Sequence, residues 1–313
     1  MLSNLIFCLN ATIPIFLLMV LGYIFKKIHI FDDALTSGMN SFVFKVALPI
    51  LVYKELASQD FKDIWDGGFI LYCFFATLIS IIIAYIIATF FTDKTIRSEF
   101  VQGSYRSSAA LLGVGVAINL YGNAGMVPLM IIGAVPLYNI VAVIVLTVDA
   151  SGESTLTPSL IKKTLIGVIT NPIIIGIILG LLRSFVPHDL LLPKTVNYLS
   201  GLATPLGLLA LGASFEFSDA LKKLAPTLVA TFLKLIGFCA MWIPLAVQLG
   251  YRDSKLIAIL IMAGSPTTVS SFVMAKNMGH DGTVSAGIVM LTTLLSAFTL
   301  TLWLYILKTL GYI

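Results

Sequence analysis

The sequence predicts an all-α membrane protein whose ten transmembrane helices form two inverted five-helix repeats, with the fourth and ninth helices broken. Three observations carry that prediction. Of 313 residues, 58% are hydrophobic and 11% charged, with a mean hydropathy of +1.02; soluble domains average ~25% charged residues. The apolar residues gather into ten continuous runs, each near the ~20 residues that a helix needs to cross a ~30 Å hydrocarbon core. The chain also repeats itself at about half its length. These features exclude a soluble enzyme, a disordered chain and a nucleic-acid binder. The net charge of +4 is scattered through loops and forms no basic patch.

The runs follow in order. Leu5–Phe25 ends at Lys26-Lys27; no positive charge precedes it, so it reads as a retained span rather than a cleaved leader. Met39–Tyr53 carries Pro49 and is followed by Lys54-Glu55. Phe69–Phe91 ends at a polar loop with Asp93, Lys94, Arg97 and Glu99. Phe100–Leu120 is rich in Ser and Gly. Met126–Val148 leads into the polar linker 149–159. The second half reads Leu160–Leu182, Thr195–Ser214, Leu224–Leu249, Leu256–Ala275 and Val284–Leu307. Unbroken apolarity, rather than alternation, excludes a membrane barrel. Cys8, Cys73 and Cys239 stand singly in these runs and read as small apolar packers.

The repeat is legible residue by residue. "ALPILVYKELASQDF" (47–61) lies over "ATPLGLLALGASFEF" (203–217), matching Ala47/Ala203, Pro49/Pro205, Ala57/Ala213, Ser58/Ser214 and Phe61/Phe217, with Asp60 over Glu216. Pro14, Leu21 and Gly22 lie over Pro172, Leu179 and Gly180. The halves are residues 1–155 and 156–313. Five spans is an odd number, so the second half enters the membrane from the opposite side. Inverted repeats of this kind mark secondary transporters with a site at the repeat interface. The lysine doublets 26–27, 162–163 and 222–223 share one side of this topology. The positive-inside rule then puts both termini outside.

Chemistry is expected at the two interrupted runs. The fourth, "YRSSAALLGVGVAINLYGN" (105–123), contains Arg106, Ser107, Ser108, Gly113, Gly115 and Asn119. The ninth, "IMAGSPTTVSSFVMAKNMG" (261–279), contains Pro266, Thr267, Thr268, Ser270 and Ser271. Gly and Pro weaken helices, and non-helical backbone at membrane depth persists only against protein or a wet cavity. A half-helix opening at Pro266 would present free N–H groups and a positive dipole end to an anion. Arg106 offers a planar fork suited to a carboxylate, and Lys45, one turn before Pro49, is a second cationic candidate. Lys234, in the eighth run, is a weaker one. No Asp or Glu falls inside a run. A coupling cation would therefore use backbone carbonyls and neutral oxygens, with Asn119, Asn139 and Thr293 as candidates; proton or sodium coupling both stay open. Enzymatic motifs are absent: Gly113-Val-Gly115 lacks a third glycine, no phosphate-binding loop is present, and His29, His188 and His280 stand apart in loops. No cofactor is expected.

Taken together, these segments resemble the auxin efflux carrier family, which includes bacterial malate permeases and the plant PIN-formed carriers. "FVFKVALPILVYKELAS" (42–58) is similar to that family's second helix. "YRSSAALLGVGV" (105–116) is similar to its "RGNTGFLGLPL", with Arg106, Leu112 and Gly113 matching. "AGSPTTVSSFVMAKNMG" (263–279) is similar to "AALPQGIVPFVFAKEYG", with Pro266, Phe272, Val273, Ala275, Lys276 and Gly279 matching. "LTTLLSAFTLTLWL" (291–304) is similar to its last helix. The family's Asn and Pro in the fourth helix are Ser108 and Gly115 here, and its second proline in the ninth is Ser271. The resemblance implies a bacterial cytoplasmic-membrane carrier whose fourth and ninth helices cross at their breaks. It implies elevator-like motion of a transport domain against a scaffold, and a homodimer. The expected cargo is a small organic anion such as malate. The alternatives are a sodium-coupled carrier of larger amphipathic anions, like the bile acid transporters, and a membrane sensor that moves nothing.

Overall fold

In a computed structural model, residues 2–57, 65–109, 113–150, 157–184 and 194–313 are described, and among them every regular element is a helix. The junction at 155/156, Leu112, and the repeat matches at Ser58, Asp60 and Phe61 lie outside the described residues.

The first half holds α1 (Leu2–Lys27), α2 (Asp33–Phe42) continuing through a π turn (Val43–Ala47) into α3 (Leu48–Ala57), α4 (Gly67–Phe91), α5 (Lys94–Tyr105), α6 (Val114–Tyr121) and α7 (Val127–Ala150). The second holds α8 (Pro158–Thr170), α9 (Pro172–Ser184), α10 (Lys194–Ala213), α11 (Phe217–Lys222), then α12 (Leu224–Phe232) continuing through a π turn (Leu233–Gly237) into α13 (Phe238–Gln248), α14 (Asp253–Gly264), α15 (Ser270–Asn277) and α16 (Thr283–Thr309). Among the described residues, seven helices are long and apolar enough to cross a membrane, and the pair α8–α9, bent by 52°, makes an eighth if it forms one span. Exposed Phe90, Ile169, Leu182 and Phe232 lie along their outer faces, as lipid contact requires. The protein is therefore an integral membrane protein.

Local chemistry explains the ends. Asp32 accepts the Leu35 N–H at 2.7 Å and Asp66 the Phe69 N–H at 3.0 Å, which caps α2 and α4. Thr157 caps α8 with Pro158 in its first turn. The sixth apolar run, read as a single span, bends by 52°. Pro172 has no N–H for the helix ladder, and Asn171 Oδ1 takes the Ile173 N–H at 2.9 Å, which restarts the helix as α9. The fourth and second helices extend beyond their apolar runs. α5 starts at Lys94 and carries Glu99, and α3 runs to Ala57 and carries Glu55. Glu99 and Glu55, which the sequence places outside the apolar runs, are thus carried on helices.

Across the halves, α1 packs on α10 and α3 packs on α9. Glycines bring the backbones together. A Cβ on Gly22 or Gly212 would collide with the carbonyls of Leu209 and Met19, and one on Gly176 or Gly180 with those of Pro49 and Tyr53. Gly22 matches Gly180 in the sequence repeat, and Tyr53 matches Leu209. The Gly22–Leu209 and Gly180–Tyr53 contacts therefore exchange with one another when the halves are exchanged.

Candidate functional site

Two short stretches of unwound backbone meet in the interior. α5 stops because Arg106 takes an extended conformation (φ −67°, ψ 143°), and α14 stops because Ser265 does the same (φ −73°, ψ 157°). The polar groups thereby freed find partners across the gap. The Ser108 N–H donates to the Pro266 carbonyl at 2.9 Å, and Thr267 Oγ1 donates to the Gly103 carbonyl at 2.7 Å. Gln102 Nε2 donates to the Ser271 carbonyl at 3.0 Å, and the Thr267 N–H donates to Thr292 Oγ1 at 3.0 Å. Satisfied backbone of this kind is what makes a break tolerable at membrane depth.

Arg106 stands at this junction, 1% exposed. One terminal nitrogen donates to Asn139 Oδ1 at 2.9 Å and Ser270 Oγ at 2.7 Å. The other donates to Met274 Sδ at 2.9 Å and reaches Gln102 Oε1 at 3.5 Å. The guanidinium lies 5.2 Å from the centre of the Tyr138 ring. Its Nε–H has no partner, and no described carboxylate forms an ion pair with it. Arg106 thus keeps both a free donor and an uncompensated charge beside a cavity of about 50 Å³. Ser107, Ser108, Tyr138, Asn139, Thr204, Thr268, Ser270 and half-buried Glu55 line the same space, above an apolar floor that includes Leu48, Val52 and Ile173. A second cavity of about 30 Å³ adjoins it through Ser108, Thr204 and Thr268 and is bounded by Pro266, Thr267, Val269 and Thr293.

Most of the candidates named from sequence gather here. Arg106, Ser107, Ser108, Asn139, Thr268 and Ser270 line the larger cavity, and Pro266, Thr267 and Thr293 the smaller. Asn139, a candidate cation ligand from the sequence, directs its oxygen to Arg106. Ser271 is wholly buried and donates to the Thr268 carbonyl, so it shapes the break without lining either cavity. Gly113 opens α6 and packs against Ile261 and Val127. Gly115 lies inside α6, and neither glycine lines a cavity. Asn119 is exposed on α6, and Lys45 is exposed in the first π turn. The second half-helix begins at Ser270 rather than Pro266, because residues 266–268 are non-helical, with Thr267 bonded to α5 and α16 and the Pro266 carbonyl to Ser108.

Three buried or half-buried groups, Thr204, Glu55 and Glu99, escaped the sequence reading, and a fourth, Lys234, was its weakest cationic candidate. Thr204 precedes Pro205 and matches Leu48, which precedes Pro49 and lines the same cavity; the repeat held that signal. Glu55 looked like a loop residue because it follows a lysine. Glu99 is wholly buried and accepts the N–H groups of Gly282 at 2.8 Å and Ser285 at 2.9 Å, capping α16. Lys234 is wholly buried, and its ammonium donates to the carbonyls of Met262 at 2.9 Å and Ala263 at 3.2 Å and reaches that of Tyr105 at 3.5 Å.

Comparison with known proteins matches residues 7–304 to the family described as membrane transport protein. A protein of Rhizobium meliloti named "Putative malonate transporter" is 22% identical over 306 residues, covering 96% of this chain and 95% of the relative. An "Uncharacterized transporter" of Methanothermobacter thermautotrophicus is 23% identical over 303 residues, covering 94% of this chain and 96% of the relative.

Proposed function

The chain belongs to the membrane transport protein family, and from that premise we propose that it is a secondary transporter carrying a small mono- or dicarboxylate across a bacterial cytoplasmic membrane by alternating access. The observation that carries this reading is Arg106, a buried guanidinium with an unpartnered Nε–H beside a polar cavity between two broken helices. A carboxylate entering that cavity supplies the missing acceptor and the missing negative charge. Serine and threonine hydroxyls at Ser107, Ser108, Thr204 and Thr268 complete a shell for its remaining oxygens.

The architecture proposed for this transport is ten spans. The seven long helices and the bent α8–α9 pair are joined by α5–α6 as the fourth span and α14–α15 as the ninth. Residues 1–155 and 156–313 form inverted repeats, a reading supported by the exchanging glycine contacts at Gly22 and Gly180. Both termini lie outside. The α1, α3, α9 and α10 layer serves as the scaffold, the remaining helices move past it as an elevator, and two copies pair through their scaffolds. A short acid is favoured over a bile-acid-sized cargo because the cavities are far below the ~300 Å³ at which pockets for drug-sized ligands begin. The name of the Rhizobium relative makes malonate the first substrate to try, beside malate.

Uptake of labelled malonate and malate by proteoliposomes tests the reading. We expect concentrative, saturable uptake of at least one acid, with Arg106→Gln reducing it at least ~10-fold, the cost of one charge-assisted hydrogen bond at ~1.5–3 kcal/mol. Wild-type rates and affinity in Arg106→Gln would remove Arg106 from the site.

A further inference from the structure

Lys234 is wholly buried and forms no ion pair with any described carboxylate. Its neighbours are the carbonyl ends of two helices: Met262 and Ala263 in the last turn of α14, and Tyr105 at the end of α5. Both helices stop at this point, so their last carbonyls lack intrahelical donors. Each helix end carries roughly −0.5 of an elementary charge, and two together carry roughly −1. One ammonium balances them. Two further features fit the lysine to this position. The π turn Leu233–Gly237 contains it, and such turns introduce an extra residue that re-aims a side chain. Gly264 lacks the Cβ that would strike Cys239 Sγ, so the end of α14 lies close against α13. Cys239 is the titratable side chain beside it, and no described carboxylate forms an ion pair with it.

Backbone carbonyls at the C-terminal ends of broken helices are the ligands with which carriers of this general design hold a coupling cation. Here that ligand set is already taken. We infer that the Lys234 ammonium is a tethered substitute for a monovalent coupling cation, filling a carbonyl site between α5 and α14 so that anion binding and movement proceed without sodium or potassium. The movement rests on the transporter reading above; the occupied cation site does not. Charge is thereby divided at the junction: Lys234 neutralises the two helix ends and Arg106 remains for the anion.

The test uses the purified full chain in detergent and in proteoliposomes, with NaCl, KCl, ammonium chloride or methylammonium chloride replacing choline chloride at constant ionic strength. Wild-type melting temperature and uptake are expected to be the same in all of these salts. Lys234→Ala opens the carbonyl site. It is expected to melt lower in choline, to recover about 3 °C or more saturably with at least one small cation, and to regain uptake with the same cation. Lys234→Met fills the space with an apolar chain and is expected to show no recovery. Sodium-dependent melting or uptake in the wild type overturns the inference, and so does a Lys234→Ala protein indifferent to every cation. If Lys234→Ala does not fold, wild-type behaviour in sodium against choline still decides. A cation-dependent shift in Lys234→Ala with no anion uptake by the wild type upholds the cation site and sinks the transporter reading instead.

Discussion

Arg106 is held by neutral acceptors alone, and that choice keeps its charge available. Pairing it with an acid would satisfy it permanently; Asn139 and Ser270 orient it without neutralising it. Asn139→Asp places a carboxylate on the same terminal nitrogen. We expect binding of a carboxylate substrate, measured by thermal shift or uptake, to fall at least ~10-fold, a difference of ~1.4 kcal/mol or more, while the melting temperature holds or rises. An unchanged affinity would show that the free charge of Arg106 is irrelevant. Glu99 is the opposite case, a charge consumed by structure. Glu99→Gln keeps one acceptor where two backbone N–H groups need two, and loses the favourable charge at the start of α16. A loss of ~1–3 kcal/mol is expected in thermal or denaturant melts. Asp66 adds a pH dependence outside the spans. The Lys255 ammonium bonded to it, and the Phe69 N–H, hold its carboxyl below the usual carboxylate range. A lowered folded-state pKa gives stability that is present above the unfolded value and is lost as pH falls through the folded one. The pair is partly exposed, 31% on each side, so its worth is below ~1 kcal/mol. Asp66→Asn is expected to melt slightly lower than wild type at pH 7 and to converge with it in acid.

At the scale of elements, the apolar runs located nearly every helix, because transfer into lipid is a sum over side chains and a sequence supplies that sum directly. α4 and α16 match their runs within a few residues. Backbone geometry is a different quantity. The α8–α9 bend, the two π turns and the start of the second half-helix at Ser270 depend on which carbonyls and N–H groups find partners in other segments. The same applies to the early start of α5: Lys94, Arg97 and Glu99 read as loop because they are charged, and they are helical because Glu99 meets the N-terminus of α16. Close helix contacts were legible in part, since Gly22 and Gly180 stood at matched places in the repeat. Gly22→Ala and Gly180→Ala would press a methyl group into a backbone carbonyl of α10 or α3. Each is expected to lower the melting temperature by several degrees, overpacking costing ~1–3 kcal/mol. Gly38→Ala, with nothing within 4 Å of the new carbon, is expected to leave it unchanged or slightly raised.

At the scale of the molecule, topology is open to direct measurement. Cys8, Cys73 and Cys239 are buried, so an introduced surface cysteine dominates labelling. Lys308→Cys is expected to react with an impermeant maleimide in intact cells, and Lys222→Cys only after permeabilisation. Both residues are exposed, at the ends of α16 and α11. The reverse pattern would invert the proposed orientation. Membrane residence, helical class and the two interruptions were all readable in the linear chain, because each follows from composition or spacing. The assignment of the three cations was not. Lys45 and Arg106 stood ahead of Lys234 as candidates, yet Lys45 is exposed, Lys234 is spent on the carbonyl ends of α5 and α14, and Arg106 alone is left with a free donor beside the cavity. A side chain's hydrophobicity travels with it along the chain; the partner that neutralises a buried charge arrives from another helix, and only packing brings the two together.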